Sequence, residues 1–248
     1  QEYTVRVLPP NQDAEPKDNQ LAAIVEIVKR KHRVLLIAGG PAREYRFLRN
    51  MLYRDPEIYL EVWLQSAQGD AAQEADDVLF EFPDKEDHLF NFDCIVAFDP
   101  NWELLDEQDV EQLDRFVADK AGGLIVVSGP VYTAEWTRYR RGRDRRIDTI
   151  KSLYPVQFYT QGSANLNLGR VGGEQPWPLS FSVEGLQAEF LWLEDNAKLS
   201  EQTWASFEGV YGYYRVKDPK PGAQVFARFS DPDTAIDGQL PIYLAGQF

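Results

Sequence analysis

Three short, uninterrupted apolar runs constrain the fold of this chain more than any other feature of its sequence. They are residues 34–38 (VLLIA), 94–98 (CIVAF) and 124–127 (LIVV). A strand with one face in water alternates apolar and polar residues, whereas a strand covered on both faces is apolar throughout and belongs to a parallel sheet. Each run ends at Gly, Asp or Ser, where a connection begins. The sequence therefore predicts an α/β fold.

Apolar residues at helical spacing follow the first run, and a second such segment lies between the second run and the third. Tyr45, Leu48 and Leu52 form an apolar stripe, and residues 110–117 carry another, which Asp106 can cap. This alternation predicts a doubly wound, mainly parallel sheet with helices on both faces. Further apolar segments predict strands at residues 58–64, 156–159, 179–183, 210–216, 224–229 and 242–245, and one or two helices within residues 190–207.

The first 31 residues have a different pattern. Residues 3–8 and 21–28 favour strands, and a polar, proline-containing segment separates them. Two strands do not form a stable domain alone. We predict that residues 1–31 are a β-hairpin remaining from an upstream β-sandwich and that residues 32–248 form the α/β domain. The alternative is that the two strands extend the main sheet.

Composition excludes several classes of function. The net charge of −14 over 248 residues disfavours nucleic-acid binding, because the chain repels phosphate backbones. A single cysteine rules out an intrachain disulfide, and no apolar run reaches the roughly 18 residues of a membrane span. Because the sequence opens with Gln1 and stops in the strand-like run before Phe248, we expect it to be a piece of a longer protein.

Three segments resemble a known family in their order and spacing. They are VLLIAGGPAREYRFLRNML, FDCIVAFDP and LDEQDVEQLDRFVADKAGGLIVVSGP. They are similar to the class I glutamine amidotransferase-like (flavodoxin-like) domains of large bacterial envelope proteins with von Willebrand A and immunoglobulin-like regions. The resemblance covers most of residues 32–248, including residues 219–248. It implies a preceding β-sandwich, a further glycine-rich strand after Phe248, and an extracytoplasmic (periplasmic) place in a membrane-anchored parent.

The residues that amidotransferase chemistry needs are missing. That chemistry uses a cysteine at a strand-to-helix elbow, a histidine base and an acid that orients it, and the family pattern is Gly-x-Cys-x-Gly followed by His-x-Glu. Here Ser128 and Gly129 stand at the elbow, and Cys94 lies within an apolar run. His32 and His88 both precede the elbow, and neither is followed by Glu two residues later. We predict no catalytic residues; the alternative is Ser128 with a lysine base.

The carboxyl ends of the predicted strands form a candidate ligand crevice. Open α/β sheets bind ligands at this edge, near the point where the strand order reverses. Glycines after the first strand allow backbone N–H groups to approach an anion, although a tight turn also explains them. The pattern is neither a dinucleotide fingerprint nor a P-loop, and no cofactor is predicted. The candidate crevice residues are Gly39, Gly40, Arg43, Asp99, Ser128 and Gly129.

Residues 138–146 (RYRRGRDRR) form an unusual basic run in an acidic chain. Such a run is typical of a solvated, mobile loop, and its functional interpretation is a docking site for an acidic surface, such as residues 70–87 of another copy. The candidate docking residues are Arg138, Arg140, Arg141, Arg143, Arg145 and Arg146. No metal site is predicted, since Asp231, Asp233 and Asp237 depart from the calcium-loop spacing.

These observations predict a non-catalytic binding or scaffold module of a bacterial envelope protein. Its expected partners are other proteins or other domains of the parent chain, and nucleic acid is not among them. The alternatives are an amidotransferase-like hydrolase with a non-standard active site and a small-molecule sensor at the strand-end crevice.

Overall fold

The chain divides into two compact units, Gln1–Lys31 and His32–Phe248. The computed structural model describes residues 2–6, 8, 19–24, 30–67, 73–138, 142–159, 175–235 and 238–248. In the first unit, β1 (Glu2–Arg6) and β2 (Gln20–Ile24) pair as an antiparallel hairpin.

The centre of the second unit is a five-stranded parallel sheet, which confirms the prediction of an α/β fold. Its strands are β3 (His32–Ala38), β4 (Ile58–Leu64), β5 (Asp77–Leu79), β6 (Cys94–Phe98) and β7 (Gly123–Val127). They lie in the order β5-β4-β3-β6-β7, and every neighbouring pair is parallel. The chain moves outward from β3 in one direction and then in the other, so the strand order reverses between β3 and β6.

Seven α-helices lie within the described residues. They are α1 (Arg43–Arg54), α2 (Glu86–Leu89), α3 (Glu107–Ala118), α4 (Tyr132–Trp136), α5 (Arg145–Leu153), α6 (Val183–Gln187) and α7 (Ala197–Ala205). Single 3-10 turns occur at Trp102–Leu104, Glu189–Leu191 and Pro232–Thr234.

The central strand β3 is buried on both faces. Leu36 packs with Tyr45 of α1 on one face, and Leu35 packs with Leu113 of α3 on the other. Ile147 of α5 belongs to the second cluster. Successive strand residues point to opposite faces, so a strand between two helical layers requires apolar side chains at every position. This is why residues 34–38 form a continuous apolar run.

A second, antiparallel sheet contains β8 (Leu179–Phe181), β9 (Gln224–Phe229) and β10 (Ile242–Gly246), in the order β10-β9-β8. The predicted strands at residues 156–159 and 210–216 are wrong, because these segments form only the isolated bridges Val156–Pro219 and Trp177–Val210. Strand propensity measures how well a residue fits a pleated surface, and within the described residues each segment meets its neighbour only at a single bridge, which does not extend into a ladder.

Candidate functional site

Four of the six predicted crevice residues, Gly39, Asp99, Ser128 and Gly129, meet at the carboxyl edge of the parallel sheet. β3, β6 and β7 end in register, so the residues that follow them are neighbours. The Gly39 N–H donates to the Phe98 carbonyl at 3.0 Å, and the Asp99 N–H donates to the Val127 carbonyl at 2.8 Å. The strand order reverses here, which is the position at which open α/β sheets bind ligands.

The Asp99 carboxylate caps helix α4 from across this edge. It accepts hydrogen bonds from the backbone N–H groups of Val131 at 2.9 Å, Tyr132 at 3.3 Å and Thr133 at 2.8 Å. The Thr133 hydroxyl adds a fourth bond at 2.8 Å. The first N–H groups of a helix have no partner within the helix and attract anions. Asp99 therefore occupies the position that a bound anion would take.

Two of the predicted glycines permit close packing at this edge. A Cβ atom on Gly39 would lie 2.2 Å from the Asp99 carbonyl oxygen and 2.4 Å from the Tyr132 ring. A Cβ atom on Gly129 would lie 2.4 Å from the Asp99 Cβ. Both positions exclude any larger residue, because the space above each glycine is filled by protein.

The remaining crevice residues face outward. Arg43 is exposed and places its guanidinium over the ring of Phe47, at 5.5 Å. Gly40 has only the Ser66 hydroxyl nearby, 4.0 Å from where its Cβ would be. Ser128 is exposed and makes no hydrogen bond within the described part of the chain.

Cys94 and Ser128 lie at opposite ends of two neighbouring strands. Cys94 begins β6, and Ser128 follows the last residue of β7, the strand that pairs with β6 from its first residue to its last. At about 3.3 Å per residue, the two side chains are separated by more than about 13 Å. Burial, followed by the charge of Asp93, raises the pKa of the Cys94 thiol. The thiol is therefore protonated at neutral pH and is a poor nucleophile.

Both histidines contact carboxylates. The His32 Nδ1 lies 3.8 Å from Asp93, and the His88 Nε2 lies 2.8 Å from Glu61. Glu61 is only 1% exposed and also forms an ion pair with Arg33. Among the described residues, neither imidazole hydrogen-bonds to the thiol or to the serine hydroxyl. Sequence reasoning missed this Arg33–Glu61–His88 network, for which the available signal is a single carboxylate inside the apolar strand IYLEVWL.

Burial lowers the pKa values of two lysines, Lys151 and Lys220, which makes them the residues to compare with the lysine-base alternative. The Lys151 ammonium donates to the Thr137 carbonyl at 3.0 Å. The Lys220 ammonium donates to the carbonyls of Lys151 at 2.6 Å and Ser152 at 2.9 Å. These bonds satisfy the C-terminal carbonyl groups of α4 and α5, so both lysines serve helix ends.

The arginine-rich segment includes the start of helix α5. Asp144 caps this helix by accepting from the Arg146 N–H at 3.0 Å, and the Arg146 guanidinium donates to Asp144 at 3.0 Å and to the Leu105 carbonyl at 2.6 Å. Arg146 is thus held within the fold. The Arg145 side chain is 91% exposed and lies 4.0 Å from Glu107. Arg138 and Arg143 are exposed, and Arg140 and Arg141 lie outside the described residues.

Within the described part of the second unit, the edge strand β7 has one uncovered face. Leu124 and Val126 pack into the core beneath α3 and α5, so Ile125 and Val127 point to the face that α1 covers elsewhere. On that face, Ile125 lies beside Val96 and Val127 lies beside Phe98 of the neighbouring strand β6. Val96 and Phe98 are both buried. Ile125 is 55% exposed and Val127 is 42% exposed.

Two apolar side chains of α1 are exposed as well. Arg49 donates to Gln73 at 2.6 Å and so points toward the β5 edge of the sheet. Phe47 and Met51 stand two residues on either side of Arg49, about 160–200° around the helix, and therefore point away from the β5 edge. They are 64% and 61% exposed. We call Phe47, Met51, Ile125 and Val127 together the β7 face.

No group of three His, Cys, Asp or Glu side chains in the described residues is arranged to hold a metal ion. Asp231 instead accepts from the Asp233 N–H at 2.8 Å and caps a 3-10 turn, while Asp237 lies outside the described residues. None of the described helices is long and apolar enough to cross a bilayer.

Comparisons of the chain with known protein families, with curated proteins and with solved structures gave no match.

We expect Asp99→Ala to lower the free energy of unfolding by about 2–3 kcal/mol, because three N–H groups at the start of α4 lose a charged acceptor. Urea unfolding followed by circular dichroism measures this change. Asp119→Ala is the matched control: Asp119 is 66% exposed and lies 3.6 Å from Arg115, so its loss costs about 0.5 kcal/mol or less. Equal losses in the two variants would contradict the capping role.

A second prediction concerns the pH dependence of stability. The hydrogen bond from Arg146 lowers the pKa of Asp144 below its ordinary value of 3.8. A carboxyl group with a lowered folded-state pKa stabilises the fold above its unfolded-state pKa, and this contribution disappears as pH falls through the folded-state pKa. The wild type should therefore exceed Asp144→Asn in unfolding free energy by a constant amount down to about pH 5, and the difference should shrink below about pH 4.

Urea titrations across this pH range measure that difference, and the exposed Asp87→Asn variant provides the control. A wild-type advantage that stays constant into acid would show that the Asp144 carboxylate does not carry the effect.

Proposed function

We propose that this chain is a non-catalytic binding module with an amidotransferase-like fold, and that it docks a helix of a protein partner, or of another domain of its parent, on the β7 face. Following the resemblance, we further propose that the parent is a membrane-anchored bacterial envelope protein with this part outside the cytoplasm. The observation that carries the docking proposal is the exposure of Ile125 and Val127 on a parallel strand.

Parallel sheets are found with both faces covered. Ile125 and Val127 continue an apolar row that is buried at Val96 and Phe98, so the surface changes from core to solvent between two adjacent strands. Scattered apolar side chains are ordinary on a protein surface, whereas a contiguous apolar strip beside a covered core is typical of an interaction site. A helix laid beside α1 would complete the layer.

The charges beside the β7 face indicate what kind of helix fits. Helix α1 contains Arg43, Arg46, Arg49 and Arg54 but only one acidic residue, Glu44, in a chain whose net charge is −14. Arg43, Arg46 and Arg54 are exposed. An amphipathic helix with an apolar stripe and an acidic flank complements this surface, since opposite charges at an interface rim favour association and fix orientation.

The arrangement of the reactive groups supports a module without catalysis. Within the described residues, no base is bonded to the exposed serine at the elbow. The thiol is protonated and lies at the opposite ends of the strands, and both imidazoles contact carboxylates. The same geometry gives no support to the hydrolase alternative. The sensor alternative has little room at the strand ends, where Asp99 and Tyr132 fill the space above Gly129 and Gly39.

We expect no ammonia when the purified protein is incubated with glutamine, because no thiolate–imidazole pair exists to attack the amide. Wild type, Cys94→Ala and Ser128→Ala should all match the protein-free blank. Ser128→Cys should match it too, since a thiol at the elbow still lacks a histidine. Turnover that Cys94→Ala or Ser128→Ala abolishes would refute the non-catalytic proposal.

The docking proposal predicts site-specific crosslinks. A photo-reactive phenylalanine analogue placed at position 51 or 125 of the full-length parent, in cells that make it, should link to the same partner segment. The same probe at position 201, an exposed site on α7, should give no such adduct.

Ile125→Asp should abolish the adduct formed from position 51 while leaving the fold intact, because Ile125 is already 55% exposed. Leu199→Asp, at a 45% exposed position of α7, is the matched control and should leave the adduct unchanged. If both substitutions reduced crosslinking equally, or if position 201 gave the same products, the β7 face would not be the docking site.

A further inference from the structure

A cationic cavity lies apart from the parallel sheet's carboxyl edge, beside the antiparallel sheet. Its volume is about 160 Å³. Residues of β9 and β10, the connection before β10, and the segment 215–218 line it. Drug-sized ligands occupy pockets of roughly 300–1,000 Å³. This cavity therefore suits a small ion or a single charged group of a larger ligand.

The lining is positively charged although the chain is strongly acidic. Arg215, Lys217 and Arg228 contribute three positive charges, and Asp218 contributes one negative charge, which gives a net lining charge of +2. The Lys217 ammonium lies 4.0 Å from the Asp218 carboxylate, and both side chains are partly exposed. Two guanidinium groups remain as the main unbalanced charges.

Neither guanidinium has a carboxylate partner within the described residues. Arg228 donates to the Leu240 carbonyl at 2.7 Å, and Arg215 donates to the Thr234 carbonyl at 3.2 Å and to the Tyr213 hydroxyl at 3.3 Å. These neutral acceptors hold both side chains in place without neutralising them. Each guanidinium has five N–H donors, so most of them remain uncommitted.

One donor carries a specific cost. The Arg215 Nε is buried and has no hydrogen-bond partner in the part of the chain that the structure describes. An unsatisfied polar group on a charged side chain is unfavourable unless a nearby charge compensates it. The Arg215 guanidinium lies 5.7 Å over the Tyr213 ring, but within the described residues neither Arg215 nor Arg228 has a carboxylate partner. In a chain of net charge −14, two such arginines at one cavity indicate a ligand that supplies negative charge.

We propose that this cavity binds a small dianionic oxyanion group, such as inorganic phosphate, sulfate or the phosphate of a small phosphomonoester. The net charge of +2 matches a dianion, and the planar fork of arginine suits paired oxygen acceptors. Carboxylate groups also accept hydrogen bonds from arginine, so a dicarboxylate ligand is used to test whether the cavity prefers a tetrahedral oxyanion.

Isothermal titration calorimetry with sodium phosphate at neutral pH tests the proposal, with sodium chloride of matched ionic strength as the reference. Wild type should show saturable binding. Arg228→Gln should raise the Kd tenfold or more, because it removes a charged donor from the cavity. Asp218→Asn should lower the Kd several-fold, since it removes the opposing charge from the lining. Arg145→Gln, which removes a 91% exposed charge elsewhere, should leave the Kd unchanged.

Sulfate and succinate titrations identify the preferred oxyanion. Tighter binding of phosphate and sulfate than of succinate supports a dianionic tetrahedral group, and the reverse order overturns that assignment. Equal weakening by Arg145→Gln and Arg228→Gln, or heats that do not saturate, would show an adventitious ion only. If Arg228→Gln fails to fold by circular dichroism, the sign of the Asp218→Asn effect decides, because a purely structural role predicts no gain in affinity.

Discussion

The carboxyl edge of the parallel sheet depends on one carboxylate, that of Asp99. It receives four hydrogen bonds from residues 131–133 and joins the end of β6 to the helix after β7. Its backbone adopts a positive φ of 39°, a conformation that aspartate tolerates better than most residues. The helix N-terminus, which in many α/β proteins receives a bound anion, is here satisfied within the chain. The strand ends at which a ligand was expected are instead held together by hydrogen bonds within the chain.

Much of the fold was predictable because its central strands are buried on both faces. The strands at 34–38 and 94–98 contribute side chains to the core on both faces, whereas 124–127 forms the edge strand β7 and is covered on one face only. None of the three runs contains a polar residue that would indicate a surface strand, and all three lie in the sheet. Short elements escaped prediction, since β5 and α2 lie in an acidic connection where no local pattern marks them. β5 exists because Asp77–Leu79 pairs with β4, and that pairing is decided by tertiary contact.

The candidate site shows where sequence reasoning stops. Topology brought Gly39, Asp99, Ser128 and Gly129 to one edge, as the strand pattern predicted. The pattern did not reveal that the Asp99 carboxylate faces N–H groups more than thirty residues later in the chain. For the arginine-rich segment, charge density obscured a helix start: Asp144 is an ordinary N-cap residue, and the run after it forms the first turn of α5. Local composition indicates a solvated loop, whereas capping geometry selects a helix.

The two proposed contacts, on the β7 face and at the cationic cavity, rest on different physical forces. Association through the β7 face depends on burying apolar side chains, and salt screens only the rim contribution of the α1 arginines. Oxyanion binding depends on arginine charges, and added salt weakens it by screening and by competition. Ionic strength therefore separates the two activities in a single preparation. A partner that remained bound in high salt would be held by Ile125, Val127 and their neighbours on α1, since a complex bridged by the cavity would dissociate under the same conditions.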